Sequence, residues 1–546
     1  MRSKNSKNVQ KTFFSGVLLL TLSTISVKII GLIYKIPMLA YLGSEGMGYF
    51  NSAYEIYALF CVISTAGFPV ALSVLISRAI ARGEEERVPR IYRAGMWIFF
   101  VIGILGCGIM LLFAREFCNL IRSQNAFYAI LSIAPTVFLI CISSGLRGFF
   151  QGYQQMLPTA VSQIIEAVGK LFFGLLFAHF ALNKGYDTPI VAAFAGLGLT
   201  VGTLFSVFYL LIEKLRFPIS CKFRNFQSER KYVTLWKSLS RLAIPMTLGA
   251  SLVSVTKLID MTMILRRLQS IGYSEALANE AYGSYTTLAL SIFGLLPTLL
   301  NSVALPLVPI LSGAIAEGDC QKQIQMIRTS YRLTAIFSIP AALSISAFAR
   351  PILQLLFGHD AEAVAIAAPL LSYLGVSVFL SCMITATNSV LHAYQIVNRP
   401  ILSMLIGAGV KVISAYFLIG NPQIGLMGAP ISTFLCNLSV VLFNLYFSSK
   451  LCDIPDILSF FMRPLFASSL AVGIGFVLYR YVSTIIEEGA ILTVLLIGFI
   501  ILLYVLFACL NGTIKEEDVV ALPAGEKICK LLKKTRLLHS DIENKI

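Results

Sequence analysis

Apolar positions along this chain come in uninterrupted runs rather than in alternation with polar ones. Residues 94–114 and 489–511 are two such runs, each long enough for a helix to cross the ~30 Å hydrocarbon core of a bilayer. The pattern predicts fourteen helical spans, near residues 12–40, 48–78, 92–114, 125–147, 158–182, 189–212, 238–265, 281–314, 327–349, 363–393, 400–420, 425–448, 461–482 and 489–511. The fold class is therefore all-α, a polytopic membrane protein. The first run is too long for a signal h-region, contains Lys28 and lacks a small-x-small cleavage site, so it reads as the first span. Pro37 is expected to bend span one, Gly67-Phe68-Pro69 to interrupt span two, and Pro135, Pro297, Pro306 and Pro309 to kink spans four and eight. The run GLGLTVG at 196–202 lies inside a membrane segment with no strand before it, so its glycines are read as close helix packing rather than a phosphate loop.

Composition agrees: 57% of the 546 residues are hydrophobic and 13% charged, against about 25% charged in a soluble domain. Mean hydropathy is +0.81. The formal charge of +16, from 43 Lys+Arg and 27 Asp+Glu, is explained by its placement. With both termini on the cytoplasmic side of the plasma membrane, 31 bases fall in cytoplasmic segments, 7 in outer ones and 5 within spans, as the positive-inside rule requires. No nucleic-acid partner is needed to account for it. The eleven cysteines are scattered singly, which suggests neither disulfides nor zinc. No HExxH, no P-loop and no nucleophile–base arrangement appears, so no catalytic residue, metal or cofactor is expected and the chain is not read as an enzyme.

The basic stretch after span six divides the chain into an N-terminal lobe over 1–212, a cytoplasmic linker over 213–237 and a C-terminal lobe over 238–448. Helices thirteen and fourteen fill 449–511, and 512–546 is a cytoplasmic tail whose GEKICKLLKKTRLL run either lies on an anionic leaflet or merely solubilises. Two segments recur in the two lobes. LISRAIARG at 75–83 matches ILSGAIAEG at 310–318, and GYQQMLP ending at Pro158 matches AYQIVNRP ending at Pro400. Because six helices separate the copies, the repeat implies two six-helix lobes about a pseudo-twofold axis along the membrane normal, flanking a central cavity.

Charged side chains at mid-bilayer cost about 2.5–3.5 kcal/mol each on insertion scales, so they face a cavity or a partner. Here these are Lys28 and Lys35 in span one, Glu55 in span two, Glu166 and Lys170 in span five, Lys257 and Asp260 in span seven, and Lys411 in span eleven. Five bases against three acids favour an anion, and lysines act on a diphosphate as point charges. Lys28, Lys35, Lys170, Lys257 and Lys411 are the candidate substrate ligands, joined by Arg147 of LRGFFQG near the cytoplasmic mouth. Glu55, Glu166 and Asp260 are candidates for ion coupling. An alternative for two of the lysines is pairing within their own helices, Lys170 with Glu166 and Lys257 with Asp260.

The stretches from TISVKIIGLIYKIPMLAYLG to LISRAIARG, LRGFFQGYQQMLPTAVSQIIEAVGKLFFG and VALPLVPILSGAIAEGD resemble the stage V sporulation protein B branch of the polysaccharide-biosynthesis membrane proteins. That branch belongs to the multidrug/oligosaccharidyl-lipid/polysaccharide (MOP) exporter superfamily, which also holds the lipid II flippase. The resemblance covers roughly residues 10–510 and implies a V-shaped bundle working by alternating access. It also implies a cationic cavity lined by the first helix: Lys28 stands where one flippase arginine falls, Tyr34 or Lys35 near the second, and span eight has no arginine at all. The expected function is export of a polyprenyl-diphosphate-linked glycan, lipid II or a polysaccharide precursor. Its partners would be that substrate, membrane lipids and cell-wall synthesis proteins. The alternatives are a cation-coupled multidrug antiporter and a non-transporting membrane scaffold.

Overall fold

The computed structural model describes residues 2–217, 229–304, 307–396, 398–451, 457–485 and 490–513, and among them every regular element is a helix. Two compact units emerge, Met1–Thr287 and Leu288–Ile546. The first holds α1 (Arg2–Thr65), α2 (Phe68–Ala81), α3 (Val88–Leu112), α4 (Ala114–Ile121), α5 (Phe127–Gly152), α6 (Leu157–Asn183), α7 (Thr188–Arg216), α8 (Glu229–Ser270) and α9 (Glu275–Ser284). A π-turn at Tyr285–Ala289 follows. The second unit holds α10 (Leu290–Phe293), α11 (Leu295–Ala304), α12 (Leu307–Glu317), α13 (Cys320–Ala347), α14 (Ala349–Phe357), α15 (Ala361–Ala393), α16 (Asn398–Ile419), α17 (Gly428–Ser449), α18 (Ile457–Ser483) and α19 (Ala490–Leu510).

Among the described residues, eleven helices are long and apolar enough to cross a membrane, or twelve if α13 and α14, bent by 78°, form one span. The expected fourteen are not found as fourteen separate helices, for two reasons. Spans one and two run together in α1 and α2. The 64 residues of α1 would reach ~96 Å if straight, three times a hydrocarbon core. The chain breaks that length at Gly43, whose φ of 62° and ψ of 177° lie in a region open essentially to glycine alone. Expected span eight, in contrast, is split into the end of α9, the π-turn, α10, α11 and α12, none long enough by itself. Pro297 falls in α11, while Pro306 lies outside the described residues.

The bend at Gly67-Phe68-Pro69 is as expected: α1 ends at Thr65, and Pro69 opens α2, where its missing N–H costs nothing. The linker 213–237 is described only at its ends, and α8 beyond it packs against α1, α2 and α3 in the first unit. The tail run GEKICKLLKKTRLL lies outside the described residues. Large apolar side chains point outward from both units, among them Leu112 (83% exposed), Leu215 (86%) and Ile491 (78%). Helices with such faces are at home only in lipid, where their backbone bonds are satisfied internally. The chain is a multi-pass membrane protein.

The glycines of GLGLTVG do pack helices closely. A Cβ on Gly169 of α6 would lie 2.6 Å from the Cα of Gly202 on α7, and one on Gly198 would fall inside Gly174. The internal repeat is visible in backbone and hydrogen bonds alike. Ser77 Oγ donates to the Gly152 carbonyl at 2.7 Å, and its counterpart Ser312 donates to the Ala393 carbonyl at 3.1 Å. Gly83 and Gly318 end their segments at φ +71° and +72°. Gln154 and Gln395, which follow the matching tyrosines, both sit at φ +59°. Each unit therefore anchors its LISRAIARG-type helix to the same turn before its Tyr-Gln-to-Pro segment.

Candidate functional site

Four of the five intramembrane lysines lie in the first unit. Lys28 and Lys35 stand seven residues apart on one face of α1, Lys28 exposed and Lys35 half-buried. Lys35 Nζ donates to the main-chain carbonyl of Thr286 at 3.2 Å. That carbonyl belongs to the π-turn, where interruption of the i→i+4 ladder releases main-chain groups for outside partners. Asn51, also on α1, clamps the same turn by donating at 2.8 Å to the hydroxyls of both Thr286 and Thr287. Close approach makes this possible, since a Cβ on Gly48 would collide with the Asn279 carbonyl and one on Gly283 with that of Ser44.

On α6, Ser162, Glu166 and Lys170 form a polar stripe at four-residue intervals. Glu166 and Lys170 do not pair. Arg147 of α5 takes the carboxylate instead, Nη2 to Oε2 at 2.8 Å, while its Nε donates to Ser162 Oγ at 2.9 Å and its Nη2 also to Ser206 Oγ of α7 at 3.2 Å. Arg147 was expected near the cytoplasmic mouth. It is 9% exposed, and it ties three helices together. Lys170 Nζ sits among three rings of α1, 4.5 Å from the centroid of Tyr54, 5.0 Å from Tyr34 and 5.6 Å from Phe50. All three lie within the ~6 Å over which a ring face attracts a cation. Gly174 leaves room for Tyr34 against α6, because a Cβ there would lie 2.9 Å from the ring.

Lys257 and Asp260 lie one turn apart on α8, Lys257 exposed and Asp260 9% exposed. The charges of Lys170, Glu55, Lys257 and Lys28 all act on Lys35; those of Lys257 and Lys28 act on each other, and Glu166 and then Lys28 act on Lys170. The carboxylate of Glu55 is in the same cluster, its Oε2 buried without a hydrogen-bond partner. Lys411 is half-buried on α16 of the second unit.

Sequence reasoning found the lysines and missed what surrounds them: Tyr34, Phe50 and Tyr54, the serines on Arg147, and the π-turn with Asn51. Two signals were present. Phe50 and Tyr54 are spaced i,i+4, and a stripe of polar residues on an otherwise apolar helix must face the protein interior.

A family model for polysaccharide biosynthesis protein matches residues 13–315, more than half of the chain. The chain belongs to the polysaccharide biosynthesis protein family. A second model, MatE, matches residues 245–417. Family membership places the chain in the MOP exporter superfamily. Stage V sporulation protein B of Bacillus subtilis (strain 168) is 26% identical over 429 residues, covering 78% of this chain and 81% of that protein. Lipid II flippase MurJ of the same organism is 25% identical over 414 residues, covering 73% and 76%. Among solved structures, lipid II flippase MurJ in an inward closed conformation aligns with a TM-score of 0.68 at 15% identity, over 90% of this chain and 98% of that one. A multidrug resistance MATE family transporter in an inward-facing conformation aligns at 0.66 and 14% identity, over 82% and 98%. At these identities the solved structures establish the shared polytopic fold of this polysaccharide biosynthesis family member.

Proposed function

We propose that this protein is a flippase that carries a polyprenyl-diphosphate-linked glycan from the inner to the outer leaflet of the plasma membrane, with both termini cytoplasmic. The observation that carries this reading is the charge balance of the first unit. Arg147 neutralises Glu166, which leaves Lys28, Lys35, Lys170 and Lys257 against Glu55 and Asp260. The surplus of two positive charges suits a diphosphate. Glycan and prenyl tail need no charged ligand, so the headgroup is where such a cluster gains selectivity. An interior-negative potential aids the outward passage of a dianion by roughly 4–5 kcal/mol per 100 mV. Lys411 is proposed as a further ligand supplied by the second unit. The relatives named stage V sporulation protein B and lipid II flippase support a cell-envelope precursor as cargo.

A second reading, a cation-coupled exporter, is favoured by one observation: the buried Glu55 Oε2 lacks a hydrogen-bond partner. The deciding experiment measures outer-leaflet exposure of lipid-linked peptidoglycan precursor in cells depleted of their own lipid II flippases. Wild-type protein is expected to restore exposure, and Lys28→Ala with Lys170→Met to abolish it at equal membrane abundance. Full restoration by the double variant would sink the cationic-site reading. Failure of the folded wild type to restore it would turn the proposal toward another lipid-linked glycan or toward Glu55-linked export.

A further inference from the structure

We infer that Arg147 is a positioning residue: by holding Glu166 it prevents that carboxylate from pairing directly with Lys170, so that Lys170 stays in the aromatic box as an anion ligand in waiting. The inference rests on the proposed diphosphate cargo and adds a role for residues that do not touch it.

Glu166 precedes Lys170 by four residues, the orientation in which a carboxylate and an ammonium join along a helix. In a membrane interior that pair is the default, because each charge lowers the cost of burying the other. A diphosphate would then have to break an existing ion pair before gaining one. The structure shows the default avoided. Arg147 is always protonated and carries a planar fork of five donors, so it outcompetes a lysine for a carboxylate whenever it can reach one. Its contacts to Glu166, Ser162 and Ser206 fix it on α5, α6 and α7 at once. Its side chain is 10% exposed, so little of it is left for a ligand.

Lys170 is left without a direct ion pair to Glu166: its ammonium lies against ring faces, and the Glu166 carboxylate acts on it only from a distance. A cation over rings gains about 0.5–2 kcal/mol, whereas close charge pairs couple by about 1.5–7 kcal/mol. The box formed by Tyr34, Phe50 and Tyr54 therefore holds the ammonium beside Lys28 and Lys35 strongly enough to place it and weakly enough to release it to a phosphate. Arg147 with Glu166 and Lys170 with the rings thus form one device, in which the first pair makes the second arrangement possible.

The test uses the full-length protein in lipid nanodiscs, titrated with farnesyl diphosphate and, as the uncharged control, farnesol. Arg147→Met frees Glu166 to pair with Lys170 and is expected to weaken farnesyl diphosphate binding by about tenfold or more. Glu166→Gln alone is expected to stay within about threefold of wild type, and Arg147→Met/Glu166→Gln to return to that level, because the competing carboxylate is gone. A role confined to holding the helices together gives no such rescue. If the double variant binds as weakly as Lys170→Met, the inference is overturned, and Arg147 is then a ligand itself or a structural brace. Should Arg147→Met fail to fold, the double variant decides alone by the same criterion. Wild-type protein that binds farnesyl diphosphate no better than farnesol would overturn the proposed cargo and this inference with it. Binding by wild type without rescue overturns the inference only.

Discussion

Gly202→Ala probes the seam that sets the position of Lys170. A Cβ on Gly202 would lie 2.5 Å from the main-chain nitrogen of Lys170, 2.8 Å from the carbonyl carbon of Gly169 and 3.0 Å from the carbonyl oxygen of Glu166. Ordinary van der Waals contact starts near 3.4 Å, so α6 and α7 must part by nearly 1 Å. No flexible side-chain end is available to yield, since all three atoms are helical backbone. A radial gap of 0.5–1 Å forfeits roughly a quarter to a half of the dispersion across the neighbouring contacts, and overpacking of this kind costs about 1–3 kcal/mol. Replacing a helical glycine returns at most about 1 kcal/mol, so the net effect is destabilising. Gly108 on α3 supplies the control, because a Cβ there meets no atom within 4 Å and Gly108→Ala keeps only the helical gain. In fluorescence-monitored thermal unfolding of purified protein, Gly202→Ala is expected to lower Tm by at least about 1–2 °C, with Gly108→Ala unchanged or higher. Precursor exposure in flippase-depleted cells should fall in Gly202→Ala beyond what its stability loss explains, because the displaced backbone carries both Lys170 and Glu166. A Gly202→Ala protein as stable as Gly108→Ala would refute the reasoning.

Three further outcomes are expected. Ser77→Ala and Ser312→Ala should each cost about 0.5–1.5 kcal/mol and add to within about 0.5 kcal/mol in the double variant, read by denaturant unfolding; a strongly non-additive result would show that the two anchors are not independent. Tyr54→Phe should retain precursor exposure, whereas Tyr54→Leu, which removes the nearest ring face, should reduce it severalfold through a cation–π loss of about 0.5–2 kcal/mol; equal activity of the two would remove the aromatic box from the mechanism. Asn51→Leu leaves two threonine hydroxyls of the π-turn without their donor and should destabilise the protein by about 1–3 kcal/mol, seen as a lower unfolding midpoint, while a neutral result would show that the clamp is dispensable.

The all-α membrane fold was legible because uninterrupted apolar runs admit few alternatives, and the repeat because a Tyr-Gln before a Pro and a Ser, Ala-Ile-Ala and Gly pattern recur at matching places in the two halves. The number of spans was not. Helical geometry runs past Pro37, and within α1 the backbone leaves it at Gly43, so two spans appear as one kinked run. Expected span eight did the opposite: the π-turn at Tyr285–Ala289 and the break at Gly294 leave helices too short to cross. At the site, the lysines stood out because charge in an apolar run is conspicuous. The partner of Glu166 did not, because helical spacing rules reach four residues and Arg147 is nineteen away, brought there by the packing of α5 on α6 through α7. The rings around Lys170 belong to α1, more than a hundred residues earlier, and nothing local to Lys170 announces them.

The two units also separate what is duplicated from what is not. The frame is duplicated: Ser77 and Ser312 make the same anchor, Gly83 and Gly318 the same left-handed turn, and Gln154 and Gln395 the same positive φ. The chemistry is not, for Lys28, Lys35, Lys170 and Lys257 lie in Met1–Thr287 and only Lys411 of the five lies in the other unit. A repeat maintained for packing alone would tolerate charge equally poorly in both copies, since each buried charge costs the same few kcal/mol wherever it sits. Under the proposed function, concentrating the cost in one unit is a feature of the ligand rather than of the scaffold. It fits a cargo with one compact anionic group and long uncharged parts on either side. The anion requires one dense positive site, and the rest requires only a path. On this argument, moving charge is more damaging than removing it: transferring the Lys170 position to an apolar place on α16 would keep the net charge and lose the site.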